Sequence, residues 1–145
     1  MARIPAATRE TVPSDQTAEF DQMIADSGSV PAFGPGSIMI HVPKAHQLAT
    51  ALNQYLRNDS SLPLKVLELS MLVTARENDC MHIWNAHAGS ARAAGVPDAL
   101  VDALRDRKEL PALAPDEAAV INYGQEYFRT HKVSRGAFQA GIEQF

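Results

Sequence analysis

Prolines and glycines cut this sequence into pieces of helix length, and that punctuation limits the fold more than any other feature. Pro43, Pro97 and Pro115 each head an apolar segment with helical period, a position where proline's missing N–H costs nothing. Gly28 and Gly95 close two others, where a left-handed residue suits the end of a helix. Phe20, Met23 and Ile24 share one face after Ser14, and Ala45, Leu48, Leu52 and Leu56 recur near helical spacing after Pro43. Residues 62–77, "LPLKVLELSMLVTARE", follow a capping Ser61 and are apolar on several sides, as in a buried helix. A helix over 80–94 is expected behind a cap at Asn78 or Asp79, and a short one from Pro97 to about Arg107. Pro115 opens another, with Asp116 and Glu117 at its positive end, and Ser134 caps a last segment.

No segment alternates as a strand does. The pattern predicts an all-α, single-domain helical bundle over 1–145, of about seven helices, with 1–13 as an extended arm. "SVPAFGPGSIMIHVP" is too rich in glycine and proline for a long helix; it reads as a surface loop with one strand-like or single-turn segment, or as a loop covering a pocket.

A chain of 145 residues is long enough to bury a sizeable core. Its net charge of −4 and lack of a basic stripe argue against nucleic acid as a partner. A single cysteine rules out an internal disulfide, an intramolecular dithiol cycle and a cysteine-rich zinc site. A lone thiol suits a reducing cytoplasm. The first residues lack the apolar core of a signal peptide, and no apolar run is long enough to span a bilayer. The expected location is the cytoplasm, with no membrane partner.

The chemistry concentrates in "ARENDCMHIWNAHAGSARAAG", residues 75–95, which holds the only cysteine and the only tryptophan. At about 100° per residue, Cys80, Trp84 and His87 fall on one stripe, with Ile83 near it and His82 pointing elsewhere. Each residue alone has an ordinary reading: a small buried thiol, a packing ring, a hydrogen-bonded core imidazole. Their clustering raises a functional one. His82 and His87 are five apart and "HIWNAH" lacks the HExxH zinc pattern. His41 and His46 share that spacing, so neither a metal nor any other cofactor is expected. Glu68, in "VLELSML", is a carboxylate in an apolar helix; it has to be exposed, paired or protonated, and a histidine is a natural partner.

The segment "ELSMLVTARENDCMHIWNAHAGSARAAGV" resembles the core of the carboxymuconolactone decarboxylase and alkylhydroperoxidase D-like superfamily. "MARIP" and "YGQEYFRTHKVS" are similar to its decarboxylase-like branch. The resemblance implies a helical fold assembled into trimers or hexamers, with a pocket near a subunit interface. Peroxidase members carry a CxxC pair followed by a histidine, and a glutamate twelve residues before the first cysteine. By position these fall on Glu68, Cys80, Ile83 and His87. Ile83 cannot act as the second thiol. Trp84 and Glu77 resemble the decarboxylase-like branch instead.

Three functions are therefore weighed. One is a cofactor-independent decarboxylase-like lyase acting on a small carboxylated lactone or ring acid. There His87 moves a proton and Glu68 orients it, Arg76 holds a carboxylate, and Trp84, Ile83, Glu77 and the "SIMIH" segment with His41 line the pocket. The second is a one-cysteine hydroperoxide reductase using Cys80. The third is a non-catalytic, oligomeric ligand-binding module.

Overall fold

The computed structural model describes residues 4–145, so the first three residues of the expected arm lie outside the described residues. Every regular element among the described residues is helical: α1 (Thr17–Ser27), α2 (Gly34–Met39), α3 (Pro43–Gln54), α4 (Leu64–Glu77), α5 (Met81–Ala93), α6 (Asp98–Asp106), α7 (Pro115–Thr130) and α8 (Arg135–Gln144). A 3-10 turn at Ser14–Gln16 precedes α1, and a π-helical turn at Tyr55–Asp59 follows α3. The helix beyond the expected seven is α2. It forms inside the glycine- and proline-rich segment because Pro35 fits a helix's first turn, and it stays six residues long. No helix among the described residues is long and apolar enough to cross a membrane.

The chain divides into two compact units after Ser60. In the first, α1 ends where Gly28 turns left-handed, at φ 79°, and returns its N–H to the Ile24 carbonyl at 2.8 Å. Phe20 and Ile40 form a small core with Ala7 and Val12. The segment ahead of α1 is thus anchored. Thr8 and Thr11 close a turn, with the Thr8 N–H donating to Thr11 Oγ1 at 2.8 Å, and that turn lets both neighbours reach the core.

The second unit is organised around α4. Leu69, Leu72, Val73 and Ala75 of α4 share one core with Trp84 and Ala91 of α5, Leu100, Val101 and Leu104 of α6, and Ile121 of α7. The ends of α7 and α8 are fixed locally. The Ala114 N–H donates to Glu117 Oε2 at 2.9 Å, and the Lys65 ammonium meets Glu117 Oε1 at 2.9 Å. The hydrogen bond that Lys65 donates to Glu117 holds the Lys65 pKa above its ordinary value. Ser134 caps α8, its Oγ accepting the Ala137 N–H at 3.2 Å.

Gly124 sets how closely α7 approaches α4. A Cβ there would come within 2.7 Å of Val73 Cγ1, on a buried, β-branched side chain with little freedom to turn. Gly124→Ala gains about 1 kcal/mol of helix propensity, against roughly 1–3 kcal/mol of overpacking. The expected net result is a lower urea midpoint, restored when Val73→Ala is added. A midpoint that rises in the single variant would mean the two helices separate freely.

Candidate functional site

Three residues, 78–80, join α4 to α5, so the chain must reverse sharply. Asp79 takes the left-handed conformation at φ 49°, and the Cys80 N–H reaches back to the Ala75 carbonyl at 2.8 Å, as in a glycine-type helix ending. An aspartate is tolerated in that conformation better than most side chains. Here its carboxylate is also clamped, by Arg76 Nη1 at 3.2 Å and Arg107 Nη2 at 2.8 Å. Arg107 further donates to the Arg76 carbonyl at 3.2 Å. Neither Asn78 nor Asp79 caps α5, contrary to the sequence expectation. Asn78 closes α4 by donating to the Thr74 carbonyl at 2.8 Å, and Cys80 itself is the α5 cap residue, without a side-chain cap bond.

This turn lays α5 against α4 and brings Glu68 to His87. Glu68 is 2% exposed among hydrocarbon neighbours, and the side chain of His87 is 14% exposed. The Nδ1–H of His87 donates to Glu68 Oε2 at 2.8 Å. A carboxylate on one ring nitrogen fixes the ring's orientation and favours the proton on that side. The other nitrogen, Nε2, has no hydrogen-bond partner among the described residues and is not buried. The pair therefore holds one imidazole nitrogen and leaves the other without a protein partner among the described residues.

The remaining candidates fall in different places. Cys80 is a free thiol of intermediate exposure at the start of α5, and no hydrogen bond joins it to His87 among the described residues. Trp84 and His87 lie three apart on α5, and Cys80 lies just before the helix as its cap residue. Trp84 is buried in the core of the second unit, with Ile83 packed against that core, and His82 is exposed. Arg76 is tied to Asp79, and its Nε is buried without a partner. Glu77 is gripped from both sides by Arg129, Nε to Oε2 at 2.8 Å and Nη2 to Oε1 at 2.6 Å. That bidentate contact raises the Arg129 pKa further. His41 lies in the first unit between α2 and α3, its Nε2 buried without a partner. Sequence reading missed Arg107 and Arg129. No local pattern marks either as the partner of a residue 28 or 52 positions away. Among the described residues no group of three or more His, Cys, Asp or Glu side chains gathers as a metal would need.

Breaking a buried ionic pair by removing one member costs more than removing both. His87→Leu is expected to destabilise the fold, by up to about 3–5 kcal/mol, because it removes one partner of a carboxylate that cannot reach water. Glu68→Leu with His87→Leu is expected to cost clearly less than the sum of the single changes. Urea unfolding of the four proteins measures the coupling, and additivity to within about 0.5 kcal/mol would show that the two side chains do not act as a unit.

The profile of the carboxymuconolactone decarboxylase family matches residues 43–126, more than half of the chain. No curated protein matches it in sequence. Among solved structures, the fold is similar to that of a Ralstonia eutropha JMP134 protein described as an alkylhydroperoxidase AhpD core, an uncharacterized peroxidase-related protein. The TM-score is 0.66 at 19% identity, covering 98% of this chain and 75% of the other, a likeness of fold. An all-helical fold of that type and the family profile lead to one conclusion: the chain belongs to the carboxymuconolactone decarboxylase family.

Proposed function

We propose that this protein is a cofactor-independent lyase that decarboxylates a small carboxylated lactone or related ring acid, with His87 as the proton-transferring group. The observation that carries the reading is the 2.8 Å contact between buried Glu68 and His87 Nδ1, which leaves Nε2 without a protein partner. In such a reaction the bond to the carboxylate carbon breaks and its electron pair passes into a conjugated carbonyl of the substrate. Carbon dioxide leaves, and a proton is delivered to carbon. His87 Nε2–H supplies that proton, and the ring is reprotonated from water. The Glu68 carboxylate steadies the imidazolium and keeps Nε2 facing outward.

The spacing on α5 weighs against a peroxide-reducing thiol acting with His87. The position one turn before the histidine is Ile83. Cys80 lies two turns before it, about 10 Å along the axis at 1.5 Å per residue. With Glu77 and Asp79 both engaged by arginines, Arg76 keeps its buried Nε–H without a partner. A substrate carboxylate could take that donor only if the Arg76 side chain shifts.

Carboxylated lactones of five- and six-membered rings should be offered and carbon dioxide release followed. His87→Gln is expected to lower kcat by about 10²–10⁴-fold with helical circular dichroism unchanged, and Glu68→Gln to lower it less. In parallel, limiting organic hydroperoxide should leave the intact mass of the protein unaltered at ordinary thiol rates. Turnover that survives His87→Gln overturns the reading. So does rapid addition of one oxygen to the wild type that disappears in Cys80→Ser, which would favour the one-cysteine reductase.

A further inference from the structure

We propose that α6 is a brace for the candidate site, with Arg107 and Arg92 as positioning residues that clamp α5 at its two ends and so hold His87 at its contact distance from Glu68. Both arginines act through α5 and not on the reacting atoms. The kinetic consequence rests on the lyase reading; the positional one does not.

The packing of α5 shows why it needs a brace. Of its thirteen residues only Trp84 and Ala91 are buried, whereas α4 buries six of fourteen and α6 four of nine. Ile83 and Ala88 add partly buried contacts. Alanine offers a single methyl group, too small to make a ridge that locks into a neighbouring helix. The Trp84 ring fixes one point of α5, and the tilt of the helix about that point is left to other contacts. A slip of one residue moves a side chain about 1.5 Å along the axis, while a reacting group has to be held to within about 0.5 Å.

The same neighbour supplies those contacts at both ends. At the start of α5, Arg107 Nη2 donates to Asp79 Oδ1 at 2.8 Å and to the Arg76 carbonyl at 3.2 Å, so one side chain from the end of α6 spans the turn. At the far end, Arg92 Nη2 donates to Asp102 Oδ1 at 2.8 Å and its Nε meets Asp98 Oδ1 at 3.0 Å, both toward the start of α6. His87 lies between the two clamps, after Cys80 and before Arg92. α6 is itself fixed in the core by Leu100, Val101 and Leu104, which makes it a firm reference. The first clamp is also built against backbone preference. Asp79 at φ 49° and Arg107 at φ 54° are two of the three non-glycine residues with left-handed backbone among the described residues, and one hydrogen bond joins them. Such conformations persist where the surroundings over-determine them, and they collect where geometry has to be held. The side chains of Arg107 and Asp79 are 53% and 68% exposed, and exposed ion pairs add little to stability. Their effect falls on position.

The test uses the full chain. Asp79→Gly removes the carboxylate while glycine takes up the left-handed backbone freely, so the urea midpoint is expected to hold or rise. Solvent exchange of the His87 Nδ1 proton, followed by NMR with ¹⁵N-labelled histidine, is expected to quicken by about tenfold or more. Arg107→Gly, at the other left-handed residue, and Arg92→Ala, at the far clamp, should quicken it as well. Asp79→Asn keeps an accepting oxygen and tolerates that backbone, and it should retain the wild-type exchange rate. On a lactone acid that the wild type turns over, the first three variants should lower kcat by about 10–100-fold with KM little changed. The exchange measurement needs no substrate, so it reads the brace even where the lyase reading fails. Exchange that stays at the wild-type rate in Asp79→Gly and Arg107→Gly overturns the proposal, as does a rise that only matches a fall in the urea midpoint. Asp79→Asn behaving as Asp79→Gly does would also overturn it, since the hydrogen bond would then not be what holds the helix.

Discussion

Glu68 is held at 2% exposure on a helix whose other inward side chains are hydrocarbon, so its charge must be met from inside the protein. His87 meets it at 2.8 Å, and for that to happen α5 must return along α4 in one register only. A turn of three residues fixes the register. It uses a left-handed Asp79 where glycine would be easier, and two arginines, Arg76 and Arg107, hold the aspartate carboxylate in place. The turn's chemistry and the pair's geometry are thus one constraint, expressed at the end and in the middle of the same helix hairpin.

The second unit buries two carboxylates, and the difference between them separates scaffold from candidate site. Glu117, at 4% exposure, receives the Ala114 N–H and the Lys65 ammonium. Lys65 also donates to Asp116 Oδ2 at 3.2 Å, and these contacts anchor the start of α7 to α4. Glu68 instead meets an imidazole, a group with two nitrogens, and only one of them faces the carboxylate. Only the second arrangement leaves a ring nitrogen without a protein partner among the described residues, and for that reason the functional proposal rests on it.

α4 serves two purposes on two sides. One side carries Glu68 toward α5; the other carries Val66, Ser70 and Val73 toward an apolar groove under α7 and α8. Gly124 allows α7 to sit close enough on Val73 to wall that groove.

The helical class was legible in the sequence because its signals are local. A proline at a first turn, a glycine at a last one, or a serine whose oxygen accepts an N–H three residues on acts within a few residues. Pro43, Gly28, Pro115 and Ser134 all behave in the structure as the pattern predicts. Glu68 and His87 were also legible as candidates, since a carboxylate in an apolar helix demands a partner wherever it is placed. Other features were decided only when the helices packed. Trp84 is buried in the core of the second unit. Cys80 stops outside the helix as its cap, and Glu77 is captured by Arg129 from 52 positions away. Each depends on the angle and register at which one helix meets another. That is set by the summed packing of many distant side chains, and no short stretch of sequence contains it.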